Sequence, residues 1–252
     1  NICGGDSRYT GSQGSSVIQV FRMTAAVTGI NETSAKQAGL AVDKVILSPM
    51  NHAGYYPGGT VMTMKVIFEQ GTYRLLGAQI VGYGGVDKRI DVLATAIRAG
   101  MKATELKDLD LAYAPPYSSA KDPVNMAGFM IENIKQGILR QWYLEDVDTL
   151  PCDGSVTLLD VRTAQEFAGG HLDGFVNIPV DELREHLEEL DRSRPVYVIC
   201  QSGLRSYIAC RILAGHGFAC CNFAGGFRLY DAAANDRRLA ESSTPCGMDI
   251  RE

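Results

Sequence analysis

The sequence predicts two domains of different class: an α+β domain with a small antiparallel sheet over residues 1–148, and an α/β domain over residues 149–252. In the first half, two β-type segments flank a short polar turn, which is typical of an antiparallel hairpin. In the second half, short apolar strands alternate with helical segments, which is typical of a parallel sheet covered by helices on both faces. Charge supports the boundary, because residues 1–148 contain 14 Lys+Arg and 14 Asp+Glu, whereas residues 149–252 contain 10 and 15.

The first half is predicted to begin with a strand and a short helix. Asn31 is a residue type that caps helices, and Gly39 provides the stop. Further along, Gln70 and Gly71 separate the two strands of the hairpin. Pro123 suits the first turn of a helix, because the N–H that it lacks has no partner there. The predicted strands are 17–21, 45–47, 61–68 and 75–81, and the predicted helices are 31–39, 87–99, 102–111 and 123–136.

The second half is predicted to form around an apolar segment, 196–200, which we expect to be a buried central strand. Apolar residues at 180, 183, 187 and 190 repeat at helical spacing, so that segment is predicted to be a helix. The predicted strands are 155–161, 196–200 and 219–223, and the predicted helices are 164–168, 180–190, 206–214 and 227–234.

Composition argues against several function classes. The net charge of −5 argues against a general nucleic-acid binder, and no apolar segment approaches the length of a membrane span. Seven cysteines without a Cys-x-x-Cys pair indicate a reducing, cytoplasmic compartment, and four dispersed histidines form no metal-binding set. The chain begins with Asn1 rather than methionine, so we expect it to be a piece of a longer protein.

Cys200 ends the predicted central strand and is the main candidate for a catalytic residue. The backbone N–H groups of 202–204 can turn inward as an anion-binding nest, and the helix predicted from Ser206 directs its N-terminus at the same place. Arg205 adds a positive charge. Each feature favours the thiolate, a nucleophile for electrophilic sulfur or phosphorus. A structural cysteine is the competing interpretation, but packing alone does not require a glycine and an arginine so close to it.

Three sequence blocks in the second half resemble the rhodanese family of sulfurtransferases. Cys-Gln-Ser-Gly-Leu-Arg-Ser (200–206) is similar to the active-site loop, 158–179 to the first conserved block, and Asn-Phe-Ala-Gly-Gly-Phe (222–227) to the final strand and turn. The resemblance covers about 150–240. It implies that Cys200 carries a persulfide, with thiosulfate, a persulfide or a small thiol as substrate. The implied substrate-binding residues are Gln201, Ser202, Gly203, Leu204, Arg205 and Ser206.

Two other functions stay open for this half. Cysteine-dependent phosphatases also use a nested thiolate and an arginine, but with five residues between them, whereas four residues separate Cys200 from Arg205. A smaller ring of amides fits sulfur better than a tetrahedral phosphate. The second alternative is a catalytically silent interaction platform that only dimerises, and the retained cysteine argues against it.

Several motifs of the first half resemble another family. They include Thr-Gly-Ile-Asn (28–31), Tyr-Tyr-Pro-Gly (55–58), Asp-Lys-Arg-Ile-Asp (87–91) and Ala-Tyr-Ala-Pro-Pro-Tyr (112–117). Over about 14–136 the chain is similar to the C-terminal dimerisation domain of pyridine nucleotide-disulfide oxidoreductases. The best match is the branch of coenzyme A-disulfide reductases and NADH-dependent persulfide reductases, some of which are fused to a C-terminal rhodanese domain.

This second resemblance implies a homodimer through the first domain, FAD and NADH as cofactors, and coenzyme A as a further candidate. Because the first half lacks a Gly-x-Gly-x-x-Gly fingerprint, we expect the FAD and NADH domains to lie outside this chain, which is then no reductase by itself. In the family, two tyrosines reach the partner's active site. By motif these are Tyr55 and Tyr113, with Tyr56 and Tyr117 as alternates, and Cys200 would relay sulfur to that site. A half-buried core or interface ring is the competing interpretation of each tyrosine.

Overall fold

The computed structural model describes residues 3–242 and separates the chain into two compact units. One unit contains the residues up to 129 except 46–48, and the other contains 46–48 and the residues from 130 onward. The boundary that composition and charge predict, after residue 148, stays a prediction. Within residues 3–242, every helix is too short or too polar to span a lipid bilayer.

The first unit is organised around a five-stranded sheet in the order β1-β2-β5-β4-β3. Its pairs β1-β2, β2-β5 and β4-β5 are antiparallel, and the last is the predicted hairpin. Strand β2 was not predicted, since its threonine, alanine and glycine residues alternate only weakly in hydropathy. The strands are β1 (Ser16–Val20), β2 (Met23–Gly29), β3 (Val42–Leu47), β4 (Thr63–Glu69) and β5 (Leu75–Gly82).

The helices of the first unit begin close to the predicted residues. The Asn31 side chain accepts a hydrogen bond from the Ser34 N–H at 2.8 Å and so caps the first helix, as predicted. The second helix packs against β2 and β5 through buried apolar side chains such as Leu93. The short helix predicted within 102–111 is present as the 3₁₀ helix Ala103–Asp108. The helices are α1 (Glu32–Gln37), α2 (Val86–Arg98) and α3 (Pro123–Lys135), which continues into the second unit.

The second unit contains a parallel five-stranded sheet in the order β6-β10-β9-β7-β8. The outer strands β6 and β8 have two residues each and carry no periodic signal, so the sequence did not predict them. The strands are β6 (Gln141–Trp142), β7 (Thr157–Asp160), β8 (Val176–Asn177), β9 (Val196–Ile199) and β10 (Cys220–Phe223). The helices are α4 (Ala164–Ala168), α5 (Leu204–Gly215) and α6 (Gly226–Ser242).

Both faces of this parallel sheet are covered, which confirms the predicted α/β class. Because side chains alternate along a strand, Val198 points to one core and Ile199 to the other. The first core also contains Leu213 of α5, and the second contains Trp142 and Phe223. The carboxyl ends of these parallel strands lie along one edge of the sheet, where ligand-binding and active sites are usually found.

The helix predicted over 180–190 is wrong. The segment is a series of turns with hydrogen bonds from residue i to i−3, such as Glu182 N–H to Pro179 O and Glu185 N–H to Glu182 O, followed by the 3₁₀ turn Leu187–Glu189. The apolar spacing did identify the buried side chains of this segment, since residues 180, 183, 187 and 190 are all buried. Spacings of three and four suit either winding, so the stripe could not distinguish an α-helix from tighter turns.

Candidate active site around Cys200

Cys200 is the first residue after β9, and its side chain is fully buried at the carboxyl edge of the sheet. Two donors contact its sulfur. The Gly203 N–H donates to Sγ at 3.2 Å, and the Ser206 hydroxyl is 3.1 Å from Sγ. Hydrogen bonds to the charged form of a group favour that form. The site can therefore hold a sulfur nucleophile that is shielded from solvent.

The loop reaches this shape because Gly203 adopts a left-handed conformation, with φ of 98°. Such a backbone is cheap for glycine alone, and here it forms the N-cap of α5. The Asn222 side chain fixes the turn by donating to the Gly203 carbonyl at 3.1 Å. Helix α5 begins at Leu204, two residues earlier than predicted, which places Ser206 in its first turn.

The N-terminus of α6 closes the loop from the other side. The Phe227 N–H donates to the Cys200 carbonyl at 2.8 Å, and the Arg228 N–H donates to the Gln201 carbonyl at 3.1 Å. This approach requires glycine at 226, where φ is 72° and a Cβ would lie 2.5 Å from the Ser202 nitrogen. The Gly-Gly turn at 225–226 therefore allows the start of α6 to pack directly against the backbone of the Cys200 loop.

Arg205 is paired with a carboxylate instead of standing free beside the sulfur. Its guanidinium donates to both oxygens of Glu166 at 2.6 and 2.7 Å. This hydrogen-bonded pair lowers the pKa of Glu166 to about 2 and raises the pKa of Arg205, to which the Cys200 charge also contributes. Glu166 in turn belongs to the capping box of α4, where it accepts from the Thr163 N–H at 2.9 Å.

A second arginine supports the loop from within the core. Arg162 is 2% exposed and donates to Asp160 at 2.7 Å and to the Gly170 carbonyl at 2.7 Å. Its guanidinium lies 4.0 Å above the Phe227 ring and approaches the Gln201 side-chain oxygen at 3.5 Å. Arg162 is therefore a structural link between the edge of the sheet and the loop.

The structure places the predicted residues 200–206 in the loop after β9 and the first turn of α5. Ser206 was expected to bind substrate and is also a direct donor to the sulfur. The sequence did not predict that Arg205 pairs with Glu166 or that Asn222 donates to the Gly203 carbonyl. It also did not predict that backbone N–H groups of α6 bind the loop. The one available signal was Glu-Phe at 166–167, which was part of the conserved block but had no assigned role.

The predicted tyrosines form a pair within the first unit. The hydroxyls of Tyr55 and Tyr113 lie 2.8 Å apart, although their positions in the sequence differ by 58. The hydrogen bond with Tyr55 raises the pKa of Tyr113. Both rings are exposed, and so are the alternates Tyr56 and Tyr117, so exposure does not decide between them. The roles of all four stay predictions.

Arg89 of α2 fixes the two loops that carry this pair. It is 1% exposed and donates to the Asn51 carbonyl at 2.8 Å and to the Tyr117 carbonyl at 3.2 Å. Its charge is balanced by Asp122, at 2.9 Å. Burial alone would raise the pKa of Asp122, but the hydrogen bonds that this carboxylate accepts outweigh burial and lower the pKa. One buried side chain thus sets the spacing of segments that precede Tyr55 and follow Tyr113.

Both halves of the chain match known domains. Residues 15–123 match the pyridine nucleotide-disulphide oxidoreductase dimerisation domain, and residues 142–233 match the rhodanese-like domain. The chain contains an oxidoreductase dimerisation domain followed by a rhodanese-like domain. These matches confirm both resemblances that were predicted from the motifs, and they confirm the predicted order of the two domains.

The relatives of this chain include proteins named coenzyme A disulfide reductase. The one from Staphylococcus haemolyticus is 39% identical over 126 residues, which are 50% of this chain and 28% of that protein. The one from Staphylococcus aureus strain Newman is 36% identical over 129 residues, which are 51% of this chain and 29% of that protein. The chain therefore spans less than a third of the length of these relatives.

Two solved structures match both domains. The reduced Bacillus anthracis CoADR-RHD is 44% identical with a TM-score of 0.87, over 92% of this chain and 42% of that one. The NAD-dependent persulfide reductase from A. fulgidus is 41% identical with a TM-score of 0.82, over 91% of this chain and 42% of that one. The chain therefore spans less than half of the length of each of these two solved structures.

Proposed function

We propose that the rhodanese-like domain is a sulfurtransferase that carries sulfane sulfur as a persulfide on Cys200. The observation that supports this most directly is the pair of donors, Gly203 N–H and Ser206 O–H, at 3.2 and 3.1 Å from the sulfur. Donors fixed in advance by the fold stabilise charge on sulfur without reorganisation during the reaction.

In the proposed reaction, the Cys200 thiolate attacks the outer sulfur of a donor. The sulfur–sulfur bond of the donor breaks, and its electron pair leaves with sulfite from thiosulfate or with a thiolate from an organic persulfide. An acceptor thiolate then attacks the outer sulfur of the Cys200 persulfide and releases the Cys200 thiolate. The two steps balance without an added oxidant or reductant, and no general base is needed once the thiolate is present.

For the longer protein we propose a reductase that acts on coenzyme A disulfide or persulfides, as the names of the relatives suggest. FAD and NADH would be bound elsewhere, because the chain has no Gly-x-Gly-x-x-Gly and the pairs β1-β2, β2-β5 and β4-β5 of its first unit are antiparallel. A homodimer in the cytoplasm is part of this proposal. Tyr55 and Tyr113 are proposed to line the partner's active site, and their mutual hydrogen bond supports this choice over Tyr56 and Tyr117.

The test measures sulfur loading on the purified chain. The chain is treated with thiosulfate or an organic persulfide, and the gain of one sulfur atom is followed by intact-protein mass, with release to an added thiol as the second step. Cys200→Ser should abolish loading. Cys152→Ser, which changes an exposed free thiol in the same domain, should leave it unchanged.

Loading that survives in Cys200→Ser would refute the proposal. If the unaltered chain takes up no sulfur but hydrolyses an aryl phosphate, the phosphatase alternative is correct. If it does neither and still forms dimers by light scattering, the silent platform is correct.

A further inference from the structure

Arg205 does not present an unbalanced positive charge to an incoming anion. Glu166 accepts two hydrogen bonds from its guanidinium, at 2.6 and 2.7 Å, and both side chains are only about one-third exposed. A second arginine whose guanidinium approaches the loop, Arg162, is balanced in the same way by Asp160 at 2.7 Å. Each of these cations beside the Cys200 loop therefore comes with its own carboxylate.

Because these arginines are balanced, the net charge of a sulfur donor affects how readily it approaches the Cys200 thiolate. Thiosulfate brings two negative charges to a thiolate, and sulfite carries both away. An organic persulfide with an uncharged organic group brings at most one, and leaves as a singly charged thiolate. Because Coulomb energies in a partly buried site are several times larger than in water, one extra negative charge nearby discriminates strongly between these donors.

We propose that Glu166 is a specificity-determining residue that disfavours dianionic thiosulfate and leaves the domain selective for organic persulfides. The inference rests on the sulfurtransferase function proposed above and names the substrate class for the same site. Glu166 acts here through its charge, by offsetting the attraction that Arg205 would otherwise exert on a dianion.

A purely structural role for Glu166 is the alternative, because it also caps α4. It accepts from the Thr163 N–H at 2.9 Å and lies 3.0 Å from the Thr163 hydroxyl. Glutamine keeps an oxygen acceptor at the same distance from the backbone but removes the charge. Glu166→Gln therefore separates the electrostatic role from the capping role.

The experiment compares two donors, thiosulfate and 2-hydroxyethyl persulfide, by the second-order rate at which Cys200 gains one sulfur. Glu166→Gln should raise the rate with thiosulfate about tenfold, equivalent to about 1.4 kcal/mol, and change the rate with the persulfide by less than about twofold. Glu166→Asp keeps the charge and should preserve the donor preference of the unaltered chain. Glu188→Gln breaks an exposed ion pair with Arg192 and controls for the change in net charge.

The outcomes separate this inference from the proposed function. If the unaltered chain takes sulfur from neither donor, the sulfurtransferase function fails, and the selectivity with it. If it takes sulfur but Glu166→Gln leaves the ratio of the two rates unchanged, only the selectivity is overturned. An equal gain in Glu188→Gln would also overturn it, because net charge would then explain the effect.

A second measurement decides the matter if Glu166→Gln fails to fold. In the unaltered chain, added salt screens the interaction between thiosulfate and the site. An exposed, unbalanced arginine would attract the dianion, so that rate would fall steeply as salt rises. A balanced arginine predicts a rate that stays level or rises, and a steep fall would refute the inference.

Discussion

Gly226→Ala tests the contact between the start of α6 and the Cys200 loop. A methyl group at this position would lie 2.5 Å from the Ser202 nitrogen and 2.6 Å from the carbonyl carbon and oxygen of Gln201. These are backbone atoms, which cannot rotate away as a flexible side chain would. Gly217→Ala is a matched control in the same domain, because φ is 86° there but a Cβ would meet nothing within 4 Å.

The two substitutions share one cost and differ in another. Alanine in a left-handed conformation costs about 1–2 kcal/mol at either position. At Gly226 the loop must also move, and overpacking of this kind adds about 1–3 kcal/mol. With a denaturant slope of about 2 kcal/mol/M, the urea midpoint should fall by about 0.5–1 M in Gly217→Ala and by about 1–2.5 M in Gly226→Ala.

The fluorescence of Trp142 is the natural assay. It is the one tryptophan of the chain, and it is 3% exposed in the core that contains Phe223, so its signal reports unfolding of the rhodanese-like domain. Sulfur loading on Cys200 gives a second readout, which should fall in Gly226→Ala and stay unchanged in Gly217→Ala. Equal losses of stability and equal loading in the two variants would refute the contact argument.

Three further predictions concern polar groups. Ser206→Ala removes the hydroxyl donor to Cys200 and should slow sulfur loading about tenfold, since a hydrogen bond to a charged group contributes about 1.5–3 kcal/mol; a change under twofold would contradict this. Because the pKa of Glu166 is lowered from 4.5 to about 2, its ion pair stabilises the domain fully above pH 4.5 and is lost as the pH falls towards 2. The urea midpoints of the unaltered chain and Glu166→Gln should therefore converge across that window, and a constant difference would argue against the pair. Arg89→Met leaves the buried Asp122 without its main cation and should destabilise the first unit by about 3–5 kcal/mol, measured by hydrogen exchange. Arg89→Met with Asp122→Leu should recover only part of this loss, because the Asn51 and Tyr117 carbonyls still lack their donor.

The local part of the site could be predicted because its residues are contiguous. A buried strand, a glycine turn and a helix in one short segment place Cys200, Gly203 and Ser206 together, whatever the rest of the chain does. The class of the second domain followed from the same alternation of strands and helices. The class of the first domain followed from its hairpin and its predicted helices, of which those at 87–99 and 123–136 are confirmed as α2 and α3.

The contacts between residues far apart in sequence could not be predicted, because a local sequence pattern does not indicate which distant residue will be its partner. Glu166 faces Arg205 only because α4 follows β7, which lies beside β9 in the sheet, and this returns the chain to the edge where Cys200 lies. Two-residue strands such as β6 are too short to show a period, and only pairing with β10 defines them. These elements depend on tertiary structure that composition and spacing do not contain.

The amide groups that cap the Cys200 loop come from residues that are synthesised after it. Phe227 and Arg228 supply the bonds to the carbonyls of Cys200 and Gln201, and Asn222 holds the Gly203 carbonyl. A growing chain that ends before residue 222 therefore has the nucleophile and its helix, but not the groups that hold them in place. The reactive cysteine reaches its final geometry only as translation passes α6, so nascent chains should expose a thiol that the finished domain encloses.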